Sequence, residues 1–366
     1  MVKNMSFKNN FAIIKNLTEI QSCSGNESKI REYIKQLVDP HCDKIETDVL
    51  GNLFCYINGQ SKTEGIKLKI LLDAHMDEIG FIVRFIDKNG FIRFSQVGGQ
   101  NPRTLPGQKV TIHSSSGEDI IGIIGEKPIH LIDQDARKKP INLEELFIDV
   151  GMSSAEEVKE FISVGDYIIL KQECTAFKGN KRIFSKAFDD RAGCFVLIKL
   201  IMELSQVKDK LDKDLIFTFA SQEEIGVRGA TVGAYKTNPD IGVAVEVTHA
   251  IDFPGISKEK HYDCSLGCGV SISVGPNLYP KMTKLLIDIA KAENIPFVLE
   301  AEPRPTPTDA RAIQMARSGI PCALVSVPLR YMHTNIETIE YQDIIHTINL
   351  LKSFLLSNLK SIISLL

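Results

Sequence analysis

The sequence predicts an α/β fold: a three-layer domain built on a mostly parallel sheet, with a small β-rich domain inserted into it. In the two outer parts of the chain, short apolar runs alternate with amphipathic helical segments, a pattern typical of helices packed on both faces of a sheet. Between them the pattern changes to β-hairpins. We therefore expect 1–79 and 179–366 to form one α/β domain, and 80–178 to form the insert.

The elements before and within the insert follow from local patterns. Residues 9–38 have helical periodicity, and 66–73 is an apolar strand that leads directly into polar residues. In the insert, Asn89-Gly90 joins two strand-like runs, and both residues tolerate the positive φ of a tight hairpin. A Ser-Gly pair at 116–117 repeats this pattern, and a short helix is expected after Ser153 or Ser154.

After the insert, helical and strand patterns alternate to the end of the chain. Apolar runs without polar alternation indicate buried strands, and longer amphipathic or apolar segments indicate helices. The predicted strands are 214–220, 241–247 and 321–327, and the predicted helices are 191–204, 282–294, 308–319 and 341–359.

Composition limits the function classes. The 366 residues include 43 Lys and Arg against 46 Asp and Glu, for a net charge of −3, which argues against a general nucleic-acid binder. No apolar run reaches the roughly 18 residues of a membrane span, and the opening segment lacks the apolar core of a signal peptide. The eight cysteines form no C-x-x-C pair, so we expect free thiols and a cytoplasmic protein without membrane contact.

Polar residues that could bind metal recur where predicted strands end. In open α/β sheets the functional crevice lies outside the carboxyl ends of the strands, so groups from several strand ends can converge there. Four strand ends contribute candidates: His75 and Asp77, Glu223 and Glu224, Glu246, and His333.

These residue types suit a pair of divalent metal ions. Imidazole together with carboxylate favours zinc, cobalt or manganese, and a metal pair needs a bridging carboxylate, for which Asp189 is the candidate. Two cations would lower the pKa of a bridging water and generate hydroxide near neutral pH. Of the adjacent pair Glu223-Glu224, one side chain could bind metal while the other carries the proton.

Six motifs make the resemblance to a known family specific. HMDEIG, AFDDRAG, SQEEIGVRGA, VEVTHAIDFPG, PTDARAI and PLRYMHTNIET occur in the order seen in the tetrahedral aminopeptidases, which include glutamyl and deblocking aminopeptidases. The resemblance covers nearly the whole chain. It implies a zinc-exopeptidase-like catalytic domain, a PDZ-like insert used in assembly, two divalent ions (zinc or cobalt), and dimers that build a twelve-subunit tetrahedral shell. It also implies short peptides with a free N-terminus as substrates.

The resemblance also assigns roles to the candidate residues. It places one metal ion on His75, Asp189 and Glu246, and the other on Asp189, Glu224 and His333. Glu223 would be the catalytic base and acid, and Asp77 would orient the imidazole of His75. Asp190 would support the turn at Asp189, through an Asp-Asp peptide that can be cis in the family. The chain departs from the family pattern at Glu246, where Asp is usual, at Gln100, where an aromatic residue is frequent, and at Cys268, where Lys is often seen.

Each residue also has an ordinary interpretation. The two histidines could be loop or core-edge side chains, Glu223-Glu224 a solvated pair, Asp189-Asp190 a helix cap, and Glu246 a partner of a surface lysine. Arg191 and Arg330 could contact site carboxylates or form structural ion pairs.

Two rival functions remain open. Some relatives carry an endoglucanase label, but a glycoside hydrolase needs two carboxylates and no metal, which leaves the histidines without a role. A non-catalytic assembly subunit would lack the base or some ligands.

Overall fold

The computed structural model describes residues 7–60, 67–131, 140–179, 181–358 and 362. Three parts of the sequence predictions lie outside these residues: the start of the opening segment, residue 66 of the first strand and residue 359 of the last helix. None of the described helices is long and apolar enough to cross a membrane.

In the described part of the chain, helices and strands alternate before and after a stretch that consists mainly of strands. The helices are α1 Phe7–Glu19, α2 Ser28–Val38, α3 Ala155–Lys159, α4 Phe188–Leu204, α5 Arg228–Thr237, α6 Pro280–Ala292, α7 Asp309–Met315 and α8 Tyr341–Leu356. The strands are β1 Lys44–Thr47, β2 Leu53–Ile57, β3 Lys69–His75, β4 Gly80–Ile86, β5 Ile92–Val97, β6 Lys109–His113, β7 Asp119–Gly125, β8 Phe147–Asp149, β9 Tyr167–Leu170, β10 Thr175–Ala176, β11 Arg182–Ser185, β12 Asp214–Ala220, β13 Ile241–His249, β14 Val270–Val274, β15 Phe297–Ala301, β16 Cys322–Arg330 and β17 Glu337–Glu340.

The main sheet is mixed, with a parallel centre. Its order is β1-β2-β12-β3-β13-β16-β17-β11-β10, and the pair β14-β15 joins it through β16. The four central strands β12, β3, β13 and β16 are parallel, whereas the strands on both flanks pair antiparallel. The α/β class is confirmed, but the expectation of a mostly parallel sheet is too broad. Apart from the apolar and buried β2, the flanking strands β1, β10, β11 and β17 have only two to four residues and lack the apolar runs that mark the centre.

Helices cover both faces of this sheet. Alternate residues of β3 point to opposite faces, so Leu72 packs in the large core cluster with α4 and α8, and Leu71 packs in a second cluster with α7. Almost all of α4 is buried, because it lies between the sheet and the helices α1 and α8. The helix predicted at 308–319 is shorter than expected: it ends at Met315, and Arg317 and Gly319 have positive φ.

The inserted stretch forms a closed six-stranded barrel in the order β4-β5-β8-β7-β6-β9. It has a core of its own, which includes Phe81, Ile148 and Ile168. The predicted hairpins at Asn89-Gly90 and 116–117 are present, with Gly90 at φ +88°. Strand β10 already belongs to the main sheet.

Candidate metal centre

The first group of candidate ligands lies at the carboxyl ends of β3 and β13. His75 is the last residue of β3, Glu246 lies in β13, and Asp189 enters α4. The Nε2 of His75 is 3.1 Å from Oδ1 of Asp189 and 3.8 Å from Oε2 of Glu246. All three residues are buried, so their polar atoms face one another rather than water.

The second group shares Asp189. Its other oxygen, Oδ2, is 3.3 Å from Nε2 of His333, and the same nitrogen is 3.4 Å from Oε1 of Glu224. Within each group of three, the ligand atoms lie within 4.8 Å of one another. The two oxygens of Asp189 thus face different histidines, which is the arrangement a carboxylate needs to bridge two metal ions.

The electrostatics of these groups fit divalent cations. Burial, together with the neighbouring Asp190, raises the pKa of Glu246 well above its usual value. Burial opposes protonation of His333, but the carboxylates of Asp189 and Glu224 outweigh it and raise the pKa to about 11. Burial opposes ionisation of Asp189, yet its bonds to the two histidines lower its pKa. Three carboxylates and two imidazoles are a donor set for zinc, cobalt or manganese, and the residues present fit such ions.

Asp77 ties the first histidine to the loop that carries the two glutamates. Its Oδ1 is 3.4 Å from Nδ1 of His75 and accepts the backbone N–H of Glu223 at 3.0 Å. Its Oδ2 accepts the hydroxyl of Ser24 at 2.6 Å and the backbone N–H of Glu224 at 3.1 Å. One buried carboxylate therefore lies beside the imidazole of His75 and accepts two backbone N–H groups of the loop after β12.

A second carboxylate, Glu337, holds the other ligands, and sequence reasoning missed it. Its Oε2 accepts the backbone N–H of Asp189 at 3.1 Å, and its Oε1 accepts that of His333 at 2.8 Å. The peptide bond between Asp189 and Asp190 is cis, and Oδ1 of Asp190 accepts the backbone N–H of Gly193. The available signal was the position of Glu337 four residues after His333 in the motif HTNIE.

Glu223 lies beside the ligands but in neither group. It lines the same cavity as His75 and His333. Burial, with Asp309 and Glu224 nearby, raises the pKa of Glu223 to about 9, although His75 opposes the shift. Cations bound to the neighbouring ligand groups would oppose this shift and favour the ionised carboxylate.

The cavity of about 590 Å³ is bounded partly by the barrel. The loop after β5 brings Gly99 against His333: a Cβ on Gly99 would lie 3.2 Å from Nδ1 of that histidine. His249 also lines the cavity without belonging to either candidate metal group.

Other polar candidates from the sequence have structural partners. Arg191 donates to backbone carbonyls of 17 and 20 and lies 3.6 Å from Glu78, and Arg330 is paired with Asp252. All eight cysteines are free, as predicted.

Comparisons with known proteins show which family this chain resembles over most of its length. The family described as M42 glutamyl aminopeptidase matches residues 51–350. A lysyl aminopeptidase of Pyrococcus furiosus is 33% identical over 347 residues, which cover 94% of this chain and 96% of that protein.

Solved structures agree as well. The crystal structure of a TET aminopeptidase from Thaumarchaeota archaeon SCGC AB-539-E09 has a TM-score of 0.92 at 29% identity, covering 98% of this chain and 99% of that one. The TET1 peptidase of Pyrococcus horikoshii, which can assemble into a tetrahedron or a large octahedral shell, has a TM-score of 0.82 at 29% identity, covering 95% of this chain and 99% of that one. The chain belongs to the M42 family of aminopeptidases.

Proposed function

We propose that this protein is a two-metal aminopeptidase that removes the N-terminal residue from peptides. The observation that carries the proposal is the pair of ligand groups that share Asp189. We assign one ion to His75, Asp189 and Glu246 and the other to Asp189, Glu224 and His333. Zinc and cobalt are the ions we favour, because both accept mixed imidazole and carboxylate ligands.

The residues around the ions have separate roles in the proposed reaction. When bound, two divalent ions polarise the scissile carbonyl and make a water molecule more acidic. Glu223 takes the proton of the attacking water and delivers it to the departing amine. Asp77 keeps His75 oriented and holds the backbone of Glu223, so the proton carrier and the ligand keep their relative positions.

The free α-amino group of the substrate fits the negative charge of the site. Its positive charge is complementary to the buried carboxylates, and peptides without a free N-terminus lack this group. We therefore propose short peptides with a free N-terminus as substrates.

We also propose that the chain forms homo-oligomers, as dimers that build a tetrahedral dodecamer, because the related TET1 peptidase can assemble into a tetrahedron. The insert over 80–178, which we expect to be PDZ-like, would take part in assembly, and 1–79 with 179–366 would form a zinc-exopeptidase-like catalytic domain. Eight free thiols are consistent with a reducing cytoplasm.

The rival functions are less well supported. Two carboxylates flanking a sugar bond would suffice for a glycoside hydrolase, so the two histidines that face Asp189 would have no part in that reaction. A non-catalytic subunit would not need Glu223 beside a complete set of ligands.

The test uses two adjacent residues. The full-length protein is dialysed against chelator, reloaded with zinc, cobalt or manganese, and assayed on aminoacyl chromogenic substrates, N-blocked peptides and a cellulose derivative. Glu223→Gln should keep about two metal ions per chain by elemental analysis and lose roughly 10²–10⁴-fold in kcat. Glu224→Gln, the matched variant one residue away, should lose metal. Full turnover in Glu223→Gln would reject the assignment of the base, and metal-independent cleavage of cellulose would reject the proposed function.

A further inference from the structure

One wall of the cavity is built by the pair β14-β15. The two strands are parallel, and Ser273 of β14 lies opposite Glu300 of β15. Glu302 follows two residues after Glu300, and all three line the cavity that also contains His75. This wall is polar and acidic, and none of its members belongs to the candidate metal groups.

Glu300 is a buried carboxylate without a cationic partner among the described residues. Only 5% of it is exposed. Its two oxygens accept hydroxyl groups, from Thr248 at 2.7 Å and from Ser271 at 2.8 Å. Hydroxyl donors stabilise a carboxylate but do not neutralise it, and a buried charge without a counter-charge is costly. A cation that enters the cavity beside Glu300 therefore lowers the free energy of the site.

The other two wall residues point to the same kind of ligand. Ser273 is 1% exposed, and its hydroxyl has no hydrogen-bond partner in the described structure. Glu302 lies two residues after Glu300 and lines the same cavity, so the two carboxylates are neighbours in the wall, and burial together with Glu300 raises the pKa of Glu302. A ligand that brings a positive charge and several N–H donors would relieve the repulsion between the two carboxylates and bond the free hydroxyl.

The wall is connected to the metal groups through one strand. Thr248, which bonds Glu300, and the candidate ligand Glu246 are two residues apart in β13, so they share a face and lie about 7 Å apart along the strand. A side chain that starts at the metal groups and reaches Glu300 must be long and extended. Among the natural amino acids, lysine and arginine combine such length with a charged donor group at the tip.

We propose that Glu300, Glu302 and Ser273 form the side-chain pocket for the N-terminal residue of the substrate, and that this pocket selects lysine and arginine. The inference rests on the proposed aminopeptidase function and names its substrate class. The family description refers to glutamyl substrates and the Pyrococcus furiosus relative to lysyl substrates, so the names alone do not decide.

The opposite selectivity has one residue in its favour. Arg311 also lines the cavity and could attract an acidic N-terminal side chain. It is exposed at the start of α7, however, whereas Glu300 is buried within the sheet. Two carboxylates against one exposed guanidinium leave the pocket with a net negative charge.

The test compares a charged side chain with an uncharged one of nearly the same length, and adds shorter and acidic side chains. Metal-loaded full-length protein is assayed on p-nitroanilides of lysine, arginine, norleucine, leucine and glutamate; norleucine is lysine without the terminal ammonium. We expect kcat/KM for lysine to exceed that for norleucine by about tenfold or more. In Glu300→Gln this ratio should fall at least about tenfold.

Two further variants and a second measurement separate an effect on the pocket from an effect on folding. Glu302 is partly exposed, so Glu302→Gln should lower the same ratio without affecting folding. Glu259 is exposed and lies outside the cavity, so the matched control Glu259→Gln should leave the ratio unchanged. Free lysine and norleucine are inhibitors that are not themselves cleaved. The ratio of their inhibition constants should change in the same variants as the ratio of kcat/KM.

The possible outcomes separate the two proposals. Turnover that favours norleucine, or an unchanged ratio in both pocket variants, overturns the inference and leaves the aminopeptidase proposal in place. A preference for glutamate that is lost in Arg311→Gln assigns the pocket to acidic residues instead. No turnover on any substrate with any of the three metals overturns the proposed function, and the inference with it.

Discussion

Replacing Glu337 by glutamine should weaken metal binding without removing any ligand. The carboxylate accepts one backbone N–H from Asp189 and one from His333, and it is 2% exposed. Glutamine has nearly the same shape but only one acceptor oxygen. Its amide NH₂ would therefore face one of the two N–H groups, and one of the two anchored ligands would lose its hold.

The size of the effect follows from the two hydrogen bonds. A hydrogen bond to a charged group contributes about 1.5–3 kcal/mol. Burial and Asp189 raise the pKa of Glu337, and cations bound to Asp189 and His333 would favour its ionised form. Glutamine abolishes one such bond and removes the charge from the other, so a loss of about 2 kcal/mol is a moderate expectation. Expressed in metal binding, this equals roughly a 30-fold weaker affinity, since 1.4 kcal/mol is about tenfold. Both ions should weaken, because Asp189 belongs to both ligand groups.

The assay is a competition of the protein with a chelator of known affinity, with turnover measured at several free metal concentrations. Glu337→Gln should need about 30 times more free metal for half-maximal activity, and its kcat at saturating metal should stay within a few-fold of the original. Glu340→Gln is the matched control: this residue is paired with Arg182 at the surface, and its loss should leave metal affinity unchanged. Unchanged metal affinity in Glu337→Gln would refute the reasoning, as would a loss of kcat that saturating metal does not restore.

Three further predictions concern stability and metal. Lys186 is buried with both oxygens of Glu78 at 2.8 Å, so Lys186→Met should cost about 3–5 kcal/mol in the free energy of unfolding by urea, whereas the exposed control Lys284→Met should change it by less than about 0.5 kcal/mol; equal effects would contradict the buried-pair argument. Burial raises the pKa of Asp343 to about 7, so its contribution to stability is full below its ordinary pKa and is lost as the pH rises through 7. Relative to Asp343→Asn, the unmodified protein should therefore lose about 1–3 kcal/mol between pH 5 and pH 8, and a pH-independent difference between the two would show that the raised pKa is wrong. Chelation should abolish peptidase activity while circular dichroism stays unchanged, and zinc or cobalt should restore it; activity that survives complete metal removal would contradict the two-ion assignment.

The sequence was informative about the fold where burial is uniform. The central strands are fully apolar because helices cover both faces, and 214–220 is predicted with the same bounds as β12. The flanking strands β1, β10 and β17 have two to four residues, too few to show a periodic pattern. β17 also pairs with β11, which lies far from it in the chain, and that pairing has no local signal. The same holds for the end of α7, where a single residue, Arg317, takes a positive φ.

In the candidate site too, some residues could be predicted from their neighbours in the sequence and others could not. His75, Glu223 and Glu246 follow or end apolar strands, so the position of each is marked by its own neighbours in the sequence. Glu337 and Glu300 act on residues that lie far away in the chain or in other strands, and they look like ordinary strand residues in the sequence. A carboxylate whose partners are backbone N–H groups is recognised only when the backbone of the partner is known.

The placement of these residues separates the chemistry from the choice of substrate. The candidate ligands come from β3 and β13, from the turn into α4, and from the loops after β12 and β16, and these elements pack in the large core. The pocket wall comes from β14 and β15, which join the sheet at one strand only, through two paired positions of β16. Among the described residues, Glu300 and Ser273 share no direct hydrogen bond with His75 or Asp189. We therefore expect a substitution at Glu300 or Ser273 to change the wall without moving His75 or Asp189. Substrate preference can vary on this arrangement while the metal groups stay the same, and for this reason the specificity of a relative cannot be transferred to this chain without comparing the residues of the wall.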